Sequence, residues 1–223
     1  MNFKKLMIVG LFLYVCHLQG PSQVYFTPRD DIKSQLIKLI KEERKSIDAA
    51  MYMFTDKSMA EALVGAYVRG VKVKIVLDQI SMGERFGKGS FLQRNGVTVF
   101  VHAASAVPSN FNAMSAPIMH HKFFIFGLNE KAQKGLLWTG SFNCTASASI
   151  MHEENVIVTD DVSAIAQYQE CFCQLVNRIS PGRGTLEMQG EVHEEFIEKA
   201  SLATAQAAVC STTQTALQAI EFA

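Results

Sequence analysis

The chain has 223 residues, 48% hydrophobic and 19% charged, with 21 basic side chains against 21 acidic ones. That length buries a sizeable core without staples and fits one large domain with appendages. The composition excludes a disordered or collagen-like chain, and a net charge of zero excludes a dominant basic arm or polyacidic tail.

Lys4 and Lys5 precede an apolar run from Leu6 to Cys16. Two charges followed by about eleven apolar residues form the pattern of a secretory signal peptide. A bilayer-spanning helix needs roughly 20. Residues 1–20 are therefore expected to direct export to the periplasm or beyond, with an uncleaved membrane anchor as the alternative. Val15 is too large for the residue before a lipidated cysteine, and Pro21 leaves the cleavage site open. Residues 181–223 hold six acids and two bases, whereas residues 21–180 hold 17 bases and 15 acids. The neutral total thus hides a mildly basic domain, 21–180, and an acidic, Ala-rich tail, 181–223.

Within the domain, Val24–Pro28 reads as a short strand. Ile32, Leu36, Ile37, Leu39 and Ile40 repeat at helical spacing between Asp30 and Lys45, with Asp30 or Asp31 as the cap. Ile47–Phe54 is an apolar run of strand length. Lys57–Arg69 reads as a second helix ended by Gly70, and Val71–Leu77 as a strand ending at Asp78. This β-α-β-α-β order predicts an α/β sheet with right-handed crossovers. A polar loop, 79–90, carries Arg85 and Lys88, and with Arg94 these offer cations for a phosphate groove. No aromatic–basic interleaving predicts base stacking, and no long amphipathic helix predicts membrane docking. A short helix at Phe91–Arg94, a strand at Val97–Val101 and a small, polar loop at Ala103–Pro117 follow. Strands are expected at Met119–Phe126, Leu136–Thr139 and Asn155–Thr159, and a closing helix at Val162–Arg178. The five cysteines are 16, 144, 171, 173 and 210, with no CxxC pair to suggest zinc. Cys171 and Cys173 point to different helix faces, and any disulfide pairing stays open.

Three segments carry chemistry. His120-His121-Lys122 opens an apolar strand, where alternation puts His120 and Lys122 on one face and turns His121 to the other. A histidine beside a lysine supplies a nucleophile or proton carrier and a fixed positive charge. Gly140-Ser141-Phe142-Asn143 then places Ser141 and Asn143 on one face as donors to phosphate oxygens. Glu154, ahead of the last strand, is a carboxylate able to accept from an imidazole N–H and so fix its tautomer. Singly each segment has a bland reading as surface or turn; the ordered set does not. His121 and Trp138 read as packing, His102 as a candidate substrate contact and His152 as exposed, while His17 and His193 lie in the leader and tail.

MHHKF, TGSFN and EENVIV, with YFTP, IDAAMYMFTD and RGVKVKIVLD before them, resemble the phospholipase D superfamily from about Val24 to Arg178. The likeness is to its small single-motif branch, which includes secreted bacterial endonucleases and mitochondrial cardiolipin hydrolase. It implies an α/β fold: a mixed sheet flanked by helices on both faces, with one motif per chain. It also implies metal-independent hydrolysis of a phosphodiester through a phosphohistidine, with no cofactor. His120 matches the nucleophile, Lys122, Ser141 and Asn143 the phosphate-binding residues, and Glu154 the acid that orients histidine. One position departs: the motif aspartate is Gly127, with a long stretch to Gly140 that suggests an extended hairpin, and Asn129 or Glu130 would have to supply the lost hydrogen bonds. Two histidines are needed and the chain has one motif and no internal repeat, so a symmetric homodimer with the active site at its two-fold interface is expected. Nucleic acid is slightly favoured as substrate. The alternatives are a phospholipid headgroup and, because of Gly127, a catalytically impaired binding protein.

Overall fold

The computed structural model describes residues 22–83, 85–103 and 118–181. Residues 1–21, 84, 104–117 and 182–223 lie outside these, and with them the expected signal peptide and acidic tail and nearly all of the expected 103–117 loop. Strands β1 (Gln23–Phe26), β2 (Ser46–Met51), β3 (Lys72–Asp78), β4 (Thr98–His102), β5 (Lys122–Asn129), β6 (Lys134–Gly140) and β7 (Asn155–Thr159) form one sheet in the order β1-β7-β6-β5-β2-β3-β4. Helices α1 (Ile32–Glu42), α2 (Lys57–Val68), α3 (Gly89–Arg94), α4 (Ala146–Ile150) and α5 (Val162–Ile179) complete it, with a 3₁₀ turn at Gln79–Met82. β2, β3 and β4 are parallel, and the other neighbours are antiparallel. The expected α/β fold is therefore present as a mixed sheet.

Both faces are covered, as the near-continuous apolar strands require. On one side α1 and α2 pack Leu36, Ile40, Met59 and Leu63 against Phe124, Phe126 and Trp138. On the other α5 packs Phe172, Leu175 and Val176 against Ala50, Val76, Phe123, Ile125 and Leu137. Asp31, of the two expected caps, accepts the Ser34 amide at 3.0 Å, and Gly70 leaves α2 with a positive φ of 91° that a side chain would resist. Of the described cysteines, 144, 171 and 173 are free thiols.

Two boundaries and one strand placement differ from expectation, each through long-range contacts. β2 stops at Met51 rather than Phe54 because side chains replace its ladder. The Ser81 hydroxyl donates to the Tyr52 carbonyl at 2.8 Å and accepts the Phe54 amide at 2.9 Å. The Asn143 side-chain oxygen accepts the Met53 amide at 3.2 Å. β5 consequently starts at Lys122, paired with Met51, and one further bond, Tyr52 amide to His121 carbonyl at 3.0 Å, holds the histidines just ahead of it. β1 does not extend the parallel set: it crosses to the far edge and pairs with β7. The extended hairpin is present. β5 and β6 run to Asn129 and Lys134, with a bulge between Phe126 and Asn129.

This topology brings the ends of β1, β2, β3, β4 and β6 and the starts of β5 and β7 to one end of the sheet. Every chemistry-bearing segment named from the sequence lies there.

Candidate active site

Lys122 is 7% exposed, yet its ammonium reaches the exposed His120. The ammonium donates to the His120 carbonyl at 2.8 Å and lies 3.2 Å from each ring nitrogen. Burial pulls the Lys122 ammonium below its ordinary value of 10.5, and the negative charge of Glu154 works against that shift. Tyr52, at the end of β2, places its ring centroid 4.6 Å from that of His120, with the Lys122 nitrogen 5.4 Å from the same ring. The imidazole and the ammonium thus share one aromatic face, which favours cationic partners.

Ser141 and Asn143 follow β6. With its oxygen held by the Met53 amide, Asn143 has its amide nitrogen as the donor to offer a phosphate. The Ser141 hydroxyl accepts the Asn155 amide at 3.0 Å and donates to Glu154, so in this arrangement it serves the carboxylate rather than a phosphate. Glu154 is buried. Its amide donates to the Thr27 hydroxyl at 2.7 Å, and its second oxygen lies 3.6 Å from His152 Nδ1. Among the described residues it meets Ser141 and His152, not His120. The chain therefore brings His120, Lys122 and Asn143 to one end of the sheet, with Asn143 bonded next to Tyr52, and pairs Glu154 with Ser141.

The remaining histidines sort by face. His121 turns to the α5 side, as alternation requires, with its ring centroid 5.8 Å from that of Phe123 in an edge-on arrangement and Nε2 4.0 Å from Cys171 Sγ. Partial burial, then the positive charges of Arg178, Lys122 and His120, lower its pKa. His102 faces Asp78, with Nδ1 3.9 Å from the carboxylate. The same carboxylate accepts the Met119 amide at 2.9 Å and so pins the residue before His120.

Gly127 lies in the bulged part of β5, where a Cβ would stand 2.4 Å from the Ser46 hydroxyl oxygen. Neither Asn129 nor Glu130 supplies a carboxylate-like anchor beside it. Asn129 caps the hairpin turn through the amides of residues 131 and 132, and Glu130 pairs with Arg44. The anchor is Glu43, fully buried at the end of α1, which accepts the amides of Lys45, Ser46 and Leu128 at 2.7, 3.0 and 2.8 Å.

Tyr52, Thr27, Asp78 and Glu43 were not legible as site or support residues. Tyr52 and Thr27 sit within strand-like runs, and the two acids read as strand or helix ends. Their roles arise from tertiary turns.

A mixed α/β sheet that gathers an HxK histidine and lysine and an asparagine at one end defines a phosphate-handling class of protein. The chain belongs to the phospholipase D-like family: the family model described as cardiolipin synthase, PLD-like domain, matches residues 36–176. Among similar proteins, a phospholipase D from Rickettsia bellii is 34% identical over 143 residues, covering 64% of this chain and 63% of that protein. A mitochondrial cardiolipin hydrolase from Xenopus tropicalis is 27% identical over 152 residues, covering 68% of this chain and 64% of that one. The chain thus spans under two thirds of these relatives' length. Among solved structures, the phospholipase D family member Nuc from Salmonella typhimurium is 26% identical, with a TM-score of 0.58, covering 71% of this chain and 95% of that one. NucT from Helicobacter pylori, 21% identical with a TM-score of 0.61, shares the fold, covering 71% and 96%.

Proposed function

We propose that the protein is a phosphodiester hydrolase working through a phosphohistidine on His120, without a metal ion, and that its substrate is nucleic acid. The observation that carries this reading is the contact of buried Lys122 with both ring nitrogens of His120 beside Asn143. In the first step an unprotonated ring nitrogen of His120 attacks phosphorus, the bond to the leaving oxygen breaks, and that oxygen takes a proton from a second histidine. Water then displaces the imidazole. Lys122 and the Asn143 amide neutralise charge on the phosphoryl oxygens.

The second histidine is His120 of another copy. We infer a homodimer with the two site ends facing across the axis, which would also set Glu154 of each copy within reach of the facing pair. Support comes from the single motif and from the near-complete coverage of Nuc, a protein with one such domain length. A phospholipid headgroup is the second reading, favoured by the names of the relatives from Rickettsia bellii and Xenopus tropicalis. The intact His120, Lys122, Asn143 and Glu154 weigh against a decayed site.

The test is incubation of the protein and its His120→Asn variant with single- and double-stranded DNA, RNA and labelled phospholipids in EDTA. The expected result is EDTA-resistant cleavage of nucleic acid that the variant lacks. Cleavage of lipid alone would move the substrate to the second reading, and turnover of nothing would support a binding protein.

A further inference from the structure

The loop after β3 carries an exposed aromatic ring among cations, although its sequence reads as merely polar. Phe86 is 64% exposed, with the Arg85 guanidinium carbon 5.0 Å from its ring centroid and the Lys88 ammonium on its backbone carbonyl at 3.1 Å. Arg94, the third cation expected here, falls at the other end of α3 and takes no part.

The loop is built onto the site. Lys88 donates its amide to the Phe54 carbonyl at 2.9 Å. Ser81 bonds the backbone of Tyr52 and Phe54, and Ser90 bonds the Met82 carbonyl at 3.1 Å. A side chain at Gly87 would stand 2.2 Å from the Ser81 carbonyl oxygen, so the chain folds back there at glycine distance. The segment so gripped is the one whose Tyr52 ring lies on His120.

We propose that Arg85, Phe86 and Lys88 form a subsite for single-stranded nucleic acid flanking the scissile phosphate, resting on the proposed phosphodiesterase reading. A base stacks on the ring face opposite the guanidinium, and neighbouring phosphates pair with Arg85 and Lys88. Every base has a face to stack, so the subsite tolerates any sequence. The charge over the ring argues against insertion into a lipid surface, since the guanidinium would be carried into hydrocarbon.

The experiment measures binding of a labelled oligothymidylate by fluorescence anisotropy in the full chain carrying His120→Asn. Adding Phe86→Ala is expected to weaken binding about 5- to 150-fold, from the usual value of one stacked base, whereas Phe86→Trp retains it. Arg85→Ala and Lys88→Ala each lower the slope of log Kd against log salt by about 0.7. With His120 intact, Phe86→Ala lowers the ratio of kcat/KM for oligonucleotide to that for bis(p-nitrophenyl) phosphate by a similar factor. Unchanged oligonucleotide binding in Phe86→Ala would overturn the subsite. So would a loss confined to phosphatidylglycerol vesicles, or a change in sedimentation that traces the loss to assembly. Absence of hydrolysis by the parent, with the binding shift intact, would sink the hydrolase reading and leave the subsite standing.

Discussion

Lys122 and Tyr52 show how the site treats cations. The motif lysine is buried, which disfavours its ammonium, and that ammonium sits 5.4 Å from an aromatic face, which favours it. Its folded pKa lies below 10.5, so the charged form, proposed to neutralise phosphate, is lost as pH rises through a value lower than that of free lysine. The alkaline limb of the rate profile should therefore fall below 10.5, and Lys122→Arg should move it upward. The same sign makes Lys122 a cost to folding while charged. Lys122→Met should lower turnover by about 100-fold or more without lowering the midpoint of urea unfolding. Tyr52→Leu should cost about tenfold in kcat, because the Lys122 ammonium loses its aromatic neighbour, whereas Tyr52→Phe should keep the rate. At this scale the sequence was most readable for the pairing of His120 with Lys122, which strand alternation puts on one face and the structure brings into contact. Tyr52 was hidden because nothing local marks an aromatic residue in an apolar run as a site residue. The partners of Glu154 left no local signal: within the described residues its carboxylate bonds Ser141 and lies 3.6 Å from His152.

Elements are positioned by their ends. β2 and β5 part just past the Tyr52–His121 bond, where Ser81 and Asn143 take over the next backbone bonds. Periodicity located these strands but not their last residues, since side-chain capture from 27 to 90 positions away leaves no local signal. The same holds at the opposite end, where Glu43 ties α1, β2 and the β5 bulge through three backbone amides. Glu43→Gln should destabilise the fold by about 1–3 kcal/mol, read by urea unfolding. Gly127→Asp restores the motif letter but sets a Cβ 2.4 Å from the Ser46 oxygen. It should therefore destabilise by about 1–3 kcal/mol, partly relieved by Ser46→Gly. A Gly127→Asp variant more stable than the parent would show that the position is a lost motif residue rather than a fitted one.

For the molecule as a whole, alternating strands and helices announced an α/β sheet, while β1 crossing to β7 was not legible, because strand order is decided by long-range pairing. The leader and tail lie outside the described residues, so export and the acidic tail rest on composition. The homodimer is the claim that belongs to this scale. If each site needs His120 from both copies, mixing parent with increasing His120→Asn protein, unfolded and refolded together, should lower activity with the square of the parent fraction. A linear decline would place both histidines in one chain.

The measurement that bears most directly on the account is capture of the covalent intermediate. The protein is mixed with a phosphodiester in EDTA, quenched in alkali within the first turnover, and digested for peptide mass analysis. One phosphoryl-linked adduct is expected on the peptide containing His120, absent from His120→Asn. Rapid turnover with no adduct on any histidine, or an adduct on His121 or His102, would contradict it.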